Sequence, residues 1–127
     1  MVTGTWSETQ SSIDLPTVDD LDRFVDFAEA NVDRPTAISI DMQGYRVDFL
    51  VGYESSFIHM TPEDEKPYHV TIGGPTQGTV NFWLHASHHT EFENRHLVPK
   101  TLAREALREF FRTGLLSTVV KWEQYLA

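Results

Sequence analysis

The segment at positions 97–123 constrains the fold more than any other stretch, because it describes an amphipathic helix with marked ends. Pro99 is tolerated in a first turn, where its missing N–H would have no partner, and Gly114 can adopt the left-handed conformation that ends a helix. Such a helix cannot bury its apolar face alone, so the upstream chain is expected to supply the surface that covers it. The apolar positions, spaced by three and four, are Leu102, Ala103, Ala106, Leu107, Phe110 and Phe111.

The length and composition fit a single folded domain. The chain has 127 residues, of which 40% are hydrophobic and 23% are charged, as in a globular protein. We expect one domain over positions 1–127, with room for flexibility in residues 1–12. Neither a signal peptide nor a membrane span is predicted, so we expect a cytoplasmic protein that does not bind membranes. The absence of cysteine excludes disulfides, thiol nucleophiles and cysteine-based zinc sites.

The charge is acidic and unevenly distributed. Ten Lys and Arg residues against nineteen Asp and Glu residues give a net charge of −9. Because clustered cations hold nucleic-acid phosphates, this balance argues against direct nucleic-acid binding and favours a cationic partner. The asymmetry is marked in residues 1–33, which contain eight acidic residues and one arginine.

A first amphipathic helix is predicted to begin after Pro16. Thr17 can act as its N-cap, and acidic residues fill the first turn, where the helix dipole favours negative charge. Apolar residues trace one face, and carboxylates spaced by three and four trace another. This acidic stripe is either an ordinary solvated face or a surface that steers a cationic partner. Its candidate partner-binding residues are Asp19, Asp22, Asp26 and Glu29.

The apolar period changes to two after Thr36, which predicts a β-hairpin centred on Gln43-Gly44. Strand 36–42 then pairs with strand 45–51, Met42 lies opposite Tyr45, and the apolar residues share one face. Because Gln is not favoured at the first position of a tight hairpin turn, a four-residue loop with the same register is an alternative. The other face is polar, with an expected ion pair between Asp41 and Arg46, and it carries Ser39, Asp41, Arg46 and Asp48.

Further strands are predicted at 56–60, 68–72 and 79–84, with a short strand around Phe92 and a final short strand or turn. Between them lie an acidic loop at 61–67 and a glycine-rich turn. The predicted fold class is α+β, with a curved, mainly antiparallel sheet of five to six strands and two helices packed on one face.

One cluster has the composition of a metal site, formed by His85, His88 and His89 with Glu91 and Glu93 nearby. His85 and His88 could meet one metal ion if the backbone turns helically between them. No HExxH pattern accompanies the cluster, so a polar loop is the favoured interpretation. A small metal- or ligand-binding domain or enzyme built on this cluster is the alternative. No catalytic residue and no cofactor are otherwise predicted.

The C-terminal segment also carries several local motifs, preceded by the acidic helix, the hairpin and a GTVNF strand. In this order the elements resemble the first-numbered immunity protein family of bacterial polymorphic toxin systems, from Ile13 to Glu123. Similar proteins commonly have proline after the leucine of the Thr-Gly-Leu motif, where this chain has Leu116-Ser117. The motifs are Val98-Pro99, Ala103, Ala106, Glu109-Phe110, Thr113-Gly114-Leu115 and Trp122-Glu123.

The resemblance implies a small cytosolic antitoxin that binds and blocks a cognate toxin domain, often one that resembles a nucleic-acid deaminase. The charge fits this function, because a toxin that acts on nucleic acid needs a cationic groove that an anionic protein can occupy. Blocking a groove requires no turnover, so no enzymatic activity is expected. The second candidate partner-binding surface is the acidic loop with two flanking ring residues, namely Glu63, Asp64, Glu65, His59 and Tyr68.

Overall fold

The computed structural model describes residues 2–5, 12–64, 67–84 and 88–125, which form two helices and a large, mainly antiparallel sheet. The helices are α1 (Val18–Asn31) and α2 (Lys100–Thr113), with a 3₁₀ turn at Asn94–His96 before α2. The strands are β1 (Thr3–Thr5), β2 (Ile13–Asp14), β3 (Thr36–Met42), β4 (Tyr45–Val51), β5 (Ser55–Ser56), β6 (Ile58–Pro62), β7 (Tyr68–Ile72), β8 (Thr79–Leu84), β9 (His88–Glu93), β10 (Val98–Pro99) and β11 (Lys121–Tyr125).

The β3–β4 hairpin has the register that the sequence predicts. Every pair is present, from Thr36 opposite Val51 to Met42 opposite Tyr45. Gln43 has a φ of 53° and Gly44 a φ of 79°. Because two central residues with positive φ define the tight turn that matches strand twist, the connection is the two-residue turn and not the four-residue loop.

Both helices pack on one face of the sheet, which confirms the predicted fold class. Thr17 caps α1 through a reciprocal pair of hydrogen bonds with Asp20, and Gly114 ends α2 with a φ of 71°. The apolar faces of the helices and alternate strand residues form a single buried cluster. Its members include Leu21, Phe24, Val25, Ala28, Ile38, Ile40, Val47, Phe49, Met60, Ala103, Ala106, Leu107 and Phe110.

The sheet is larger than expected, with nine strands in its main body among the described residues. Strand β11 was expected as a short strand or turn, whereas β1 and β2 were not predicted. The latter two have three and two residues, too few to show an alternation of apolar and polar residues. Strand β1 forms because β3 offers it a pairing edge, with Gly4 opposite Ile40.

The order of the strands departs from a simple meander. In the described sheet the order is β11-β7-β6-β4-β3-β1-β2, while β8 pairs with β3 and β9 rather than with β7. The glycine-rich segment 73–78 is therefore a crossover, not the hairpin turn that its neighbours suggest. Strand β11 pairs with the edge of β7 that β6 leaves open. The register runs from Lys121 opposite Ile72 to Tyr125 opposite Tyr68.

The second face of the sheet, opposite the helices, carries a smaller apolar cluster. Phe57 lies at its centre with no exposed surface, and its ring centroid is 5.0 Å from that of Phe82 and 4.6 Å from that of Phe92. The β8–β9 hairpin supplies two of these rings, Phe82 from β8 and Phe92 from β9. The buried members are Ala37, Leu50, Phe57, Val80, Phe82 and Leu97.

Replacing Phe57 with Ala should lower the free energy of unfolding by about 3–5 kcal/mol, because the lost apolar contacts and the cavity both destabilise the fold. Leu115→Ala is the control, since the Leu115 side chain is 69% exposed. That substitution should change the free energy by less than about 0.5 kcal/mol. Urea unfolding followed by tryptophan fluorescence measures both values. Equal losses would contradict the assignment of Phe57 to a second core.

Candidate partner-binding surface

The acidic loop places two carboxylates at the hairpin-turn end of the sheet. Glu63 and Asp64 follow β6 directly, and both residues are exposed. The Glu63 N–H donates to the carbonyl oxygen of Gly44 over 3.0 Å, which fixes the start of the loop against the hairpin turn. Glu65, the third predicted carboxylate, lies outside the described residues. The loop therefore presents its first carboxylates to solvent from an anchored backbone.

The ring residues predicted to flank this loop lie on the second face of the sheet. The ring centroids of His59 and Tyr68 are 6.1 Å apart, and the His59 ring is 5.5 Å from that of Phe92. The His59 side chain is 15% exposed. His59 is near the beginning of β6, whereas Tyr68 begins β7 just after the loop, so His59 lies away from the loop and Tyr68 lies beside it.

A row of registered residues crosses the second face through five strands. Ser39 pairs with Asp48, Asp48 with His59, His59 with Val70, and Val70 with Glu123. Side chains of directly opposed residues point to the same face of a sheet, so this polar row forms a continuous surface. The row depends on the strand order, which places β11 beside β7.

Asp48 lies at the centre of the polar row and has a hydrogen bond and two close nitrogen neighbours. Ser39 Oγ donates to Asp48 Oδ1 over 2.9 Å, and His59 Nδ1 lies 3.7 Å from Asp48 Oδ2. Arg46 Nη2 is 3.6 Å from the same oxygen, so Arg46 pairs with Asp48 and not with Asp41 as predicted.

Because these partners satisfy their polar atoms, Ser39 and Asp48 can be buried, and they are only 6% and 7% exposed. Because Asp48 occupies the strand between them, Ser39 and His59 are two strand spacings apart, about 9–10 Å. A general base must lie within hydrogen-bond reach of its nucleophile, so this trio is not arranged to activate the serine.

Arg95 connects the second face to the C-terminal strand. Its guanidinium donates to both carboxylate oxygens of Glu123, and its Nε donates to Glu93 Oε2 over 2.8 Å. The hydrogen bonds from Arg95 hold the pKa of Glu123 below its usual range. Arg95 and Glu123 are far apart in sequence and meet only because β11 pairs with β7, so no spacing in the chain predicts this contact.

The acidic stripe of α1 faces basic residues of α2 that the sequence did not connect to it. Its carboxylates and the α2 cations form an antiparallel ladder between the helices. The pairs are Asp22 Oδ1 with Arg108 Nε at 2.8 Å, Asp26 Oδ1 with Arg104 Nη2 at 3.0 Å, and Glu29 Oε1 with Lys100 Nζ. The Gly52 N–H also donates to Glu29 Oε2 over 2.9 Å. Asp19, in the first turn, is exposed.

The histidine cluster lies largely outside the described part of the chain. His85 is not described, and for His88 and His89 only the backbone is described, which is extended and pairs with Leu84 and Trp83. Glu93, predicted nearby, accepts a hydrogen bond from Arg95. Within the described ranges, no group of three or more His, Asp or Glu side chains has an arrangement that could hold a metal ion.

Replacing Glu123 with Gln should destabilise the fold near neutral pH, because it weakens the charge-assisted hydrogen bonds to Arg95. Since the folded-state pKa of Glu123 is lowered, its stabilising contribution is present above the unfolded-state pKa of about 4.3 and is lost as the pH falls through the folded-state pKa. The urea midpoints of wild type and variant should therefore converge in acid. Glu91→Gln, on an exposed residue of β9, is the control and should show no such convergence.

Comparison with known proteins agrees with the expectation from the sequence motifs. Neither helix in the described ranges is long and apolar enough to cross a membrane. No curated protein matches the chain. The model of one family, described as Immunity protein Imm1, matches residues 10–124, a range that includes both helices, the hairpin and nearly all of β11. This match confirms the resemblance drawn from the C-terminal motifs, and the chain belongs to the Imm1 family of immunity proteins.

Proposed function

We propose that this chain binds a cognate toxin domain in the bacterial cytoplasm and sterically blocks its working cleft. The family match over residues 10–124 is the observation that carries the proposal. The net charge of −9 supports a cationic partner. We propose a deaminase-type toxin of a polymorphic toxin system, which must hold nucleic-acid phosphates in a cationic groove. Occupying that groove excludes substrate without turnover and without a cofactor.

The acidic loop is the favoured electrostatic contact with the toxin. Glu63 and Asp64 are exposed, and they lie at the hairpin-turn end of the sheet. Three of the four carboxylates in the acidic stripe already lie beside cations of α2. A partner would have to compete with those cations, whereas Glu63 has no basic neighbour within ion-pair distance among the described residues. Exposed charges of this kind mainly accelerate association, and the affinity depends on a few buried anchors.

Co-expression with the toxin domain encoded by the neighbouring reading frame tests the proposed function. We expect this chain to restore growth to cells that produce the toxin, and the purified proteins to form a stoichiometric complex in which the toxin is inactive. A toxin variant without activity provides the control for growth effects of expression alone. If the wild-type chain neither rescues growth nor binds, the proposed function is wrong.

Charge reversal of the acidic loop, Glu63→Lys with Asp64→Lys, should slow association with that toxin by about tenfold at low salt, because electrostatic steering is lost. The difference should shrink as salt screens the charges. Asp19→Lys with Asp33→Lys changes the same number of exposed charges on and beside α1 and is the matched control. Stopped-flow association rates distinguish the surfaces: a slower control with an unchanged loop variant would assign the contact to α1.

A further inference from the structure

A cavity opens on the second face of the sheet, beside the polar row. Its volume is about 230 Å³. Sites for small molecules typically occupy about 300–1,000 Å³, so this cavity suits a single side chain better than a metabolite. It lies where β6 and β7 approach the 3₁₀ turn and β11. Its walls are formed by His59, Val70, Phe92, Arg95, His96 and Glu123.

His96 lines this cavity, and one nitrogen of its ring has no hydrogen-bond partner among the described residues. The residue is 9% exposed, and its Nδ1 lies 3.1 Å from the carbonyl oxygen of Thr71. Because a carbonyl oxygen can only accept, Nδ1 carries the proton, and in the neutral imidazole Nε2 presents a lone pair. Among the described residues, nothing donates to Nε2. The Nε2 atom keeps some access to solvent, so a ligand that enters the cavity can reach it and supply a donor.

The remaining walls favour a flat cation. Arg95 is bound by two carboxylates, Glu93 and Glu123, so this group of three carries a net negative charge. Phe92 and His59 supply aromatic surface, with ring centroids 5.5 Å apart. A guanidinium can lie against aromatic rings and donate several hydrogen bonds in one plane, whereas an ammonium is a compact and more strongly hydrated charge.

We propose that this cavity receives an arginine side chain of the toxin, whose guanidinium donates to His96 Nε2 and to the Glu123 carboxylate. The inference rests on the proposed function, because the toxin supplies the arginine. The acidic loop steers the approach of the two proteins, and the cavity provides the buried anchor that slows dissociation. A cation-binding pocket also selects among toxins, since a toxin without an arginine at that position leaves His96 Nε2 without a donor.

His96→Asn tests the anchor with little change to the fold. The Asn amide can still donate to the Thr71 carbonyl in place of Nδ1, but no atom replaces Nε2. We expect the dissociation constant for the toxin domain of the neighbouring reading frame to rise by at least about tenfold, mainly through faster dissociation. His69→Asn is the matched control, because His69 lies on β7 opposite Met60, on the helix-covered face. It should leave the dissociation constant unchanged.

Nitrogen NMR of the histidine rings in the wild-type chain gives a second readout that does not depend on the variant folding. We expect the His96 Nε2 resonance to move toward that of a hydrogen-bonded acceptor when the toxin is added. An unchanged resonance and an unchanged affinity of the Asn variant, in a complex that still forms, would overturn this inference alone. Failure of the wild-type chain to form a complex would instead overturn the proposed function.

Discussion

The packing of α2 on the apolar face of the β3–β4 hairpin is the contact on which the rest of the structure depends. Ala103, Ala106 and Leu107 are at most 1% exposed, and the small alanines let the helix approach the sheet closely. Strand β10 leads directly into α2 and pairs with β5, with Val98 opposite Ser56. This pairing fixes the N-terminal end of α2 relative to β5. The segment after α2 then returns to the sheet as β11.

This arrangement leaves the two faces of the sheet with different roles. The helices cover one face, where Trp122 of β11 also packs and donates from Nε1 to the carbonyl oxygen of Ser117 over 2.9 Å. The second face is only partly covered by the aromatic cluster around Phe57, and its remainder is the polar row from Ser39 to Glu123. Polar side chains and a cavity on an uncovered face are the features that a protein partner can recognise.

Ion pairs within the fold determine which carboxylates remain available to a partner. Arg104 and Arg108 of α2 pair with carboxylates of α1, and Arg95 pairs with Glu93 and Glu123. Individually such pairs stabilise a protein little when they are partly exposed, but they place cations beside selected carboxylates. The excess negative charge therefore falls on other positions, among them the exposed acidic loop.

The sequence by itself determined several local elements: the start of α1, both ends of α2, the two-strand register around Gln43-Gly44 and the α+β class. These follow from interactions between residues near each other in the chain, which leave a period, a cap or a turn residue in the sequence. Family membership was also visible in local motifs. Only the tertiary structure decided which elements lie side by side: the ladder between α1 and α2, the crossover of β8 and the pairing of β11 with β7. These pairings depend on how all the elements pack around a common core. The contact of Arg95 with Glu123 and the position of His96 beside a cavity therefore leave no spacing pattern in the sequence.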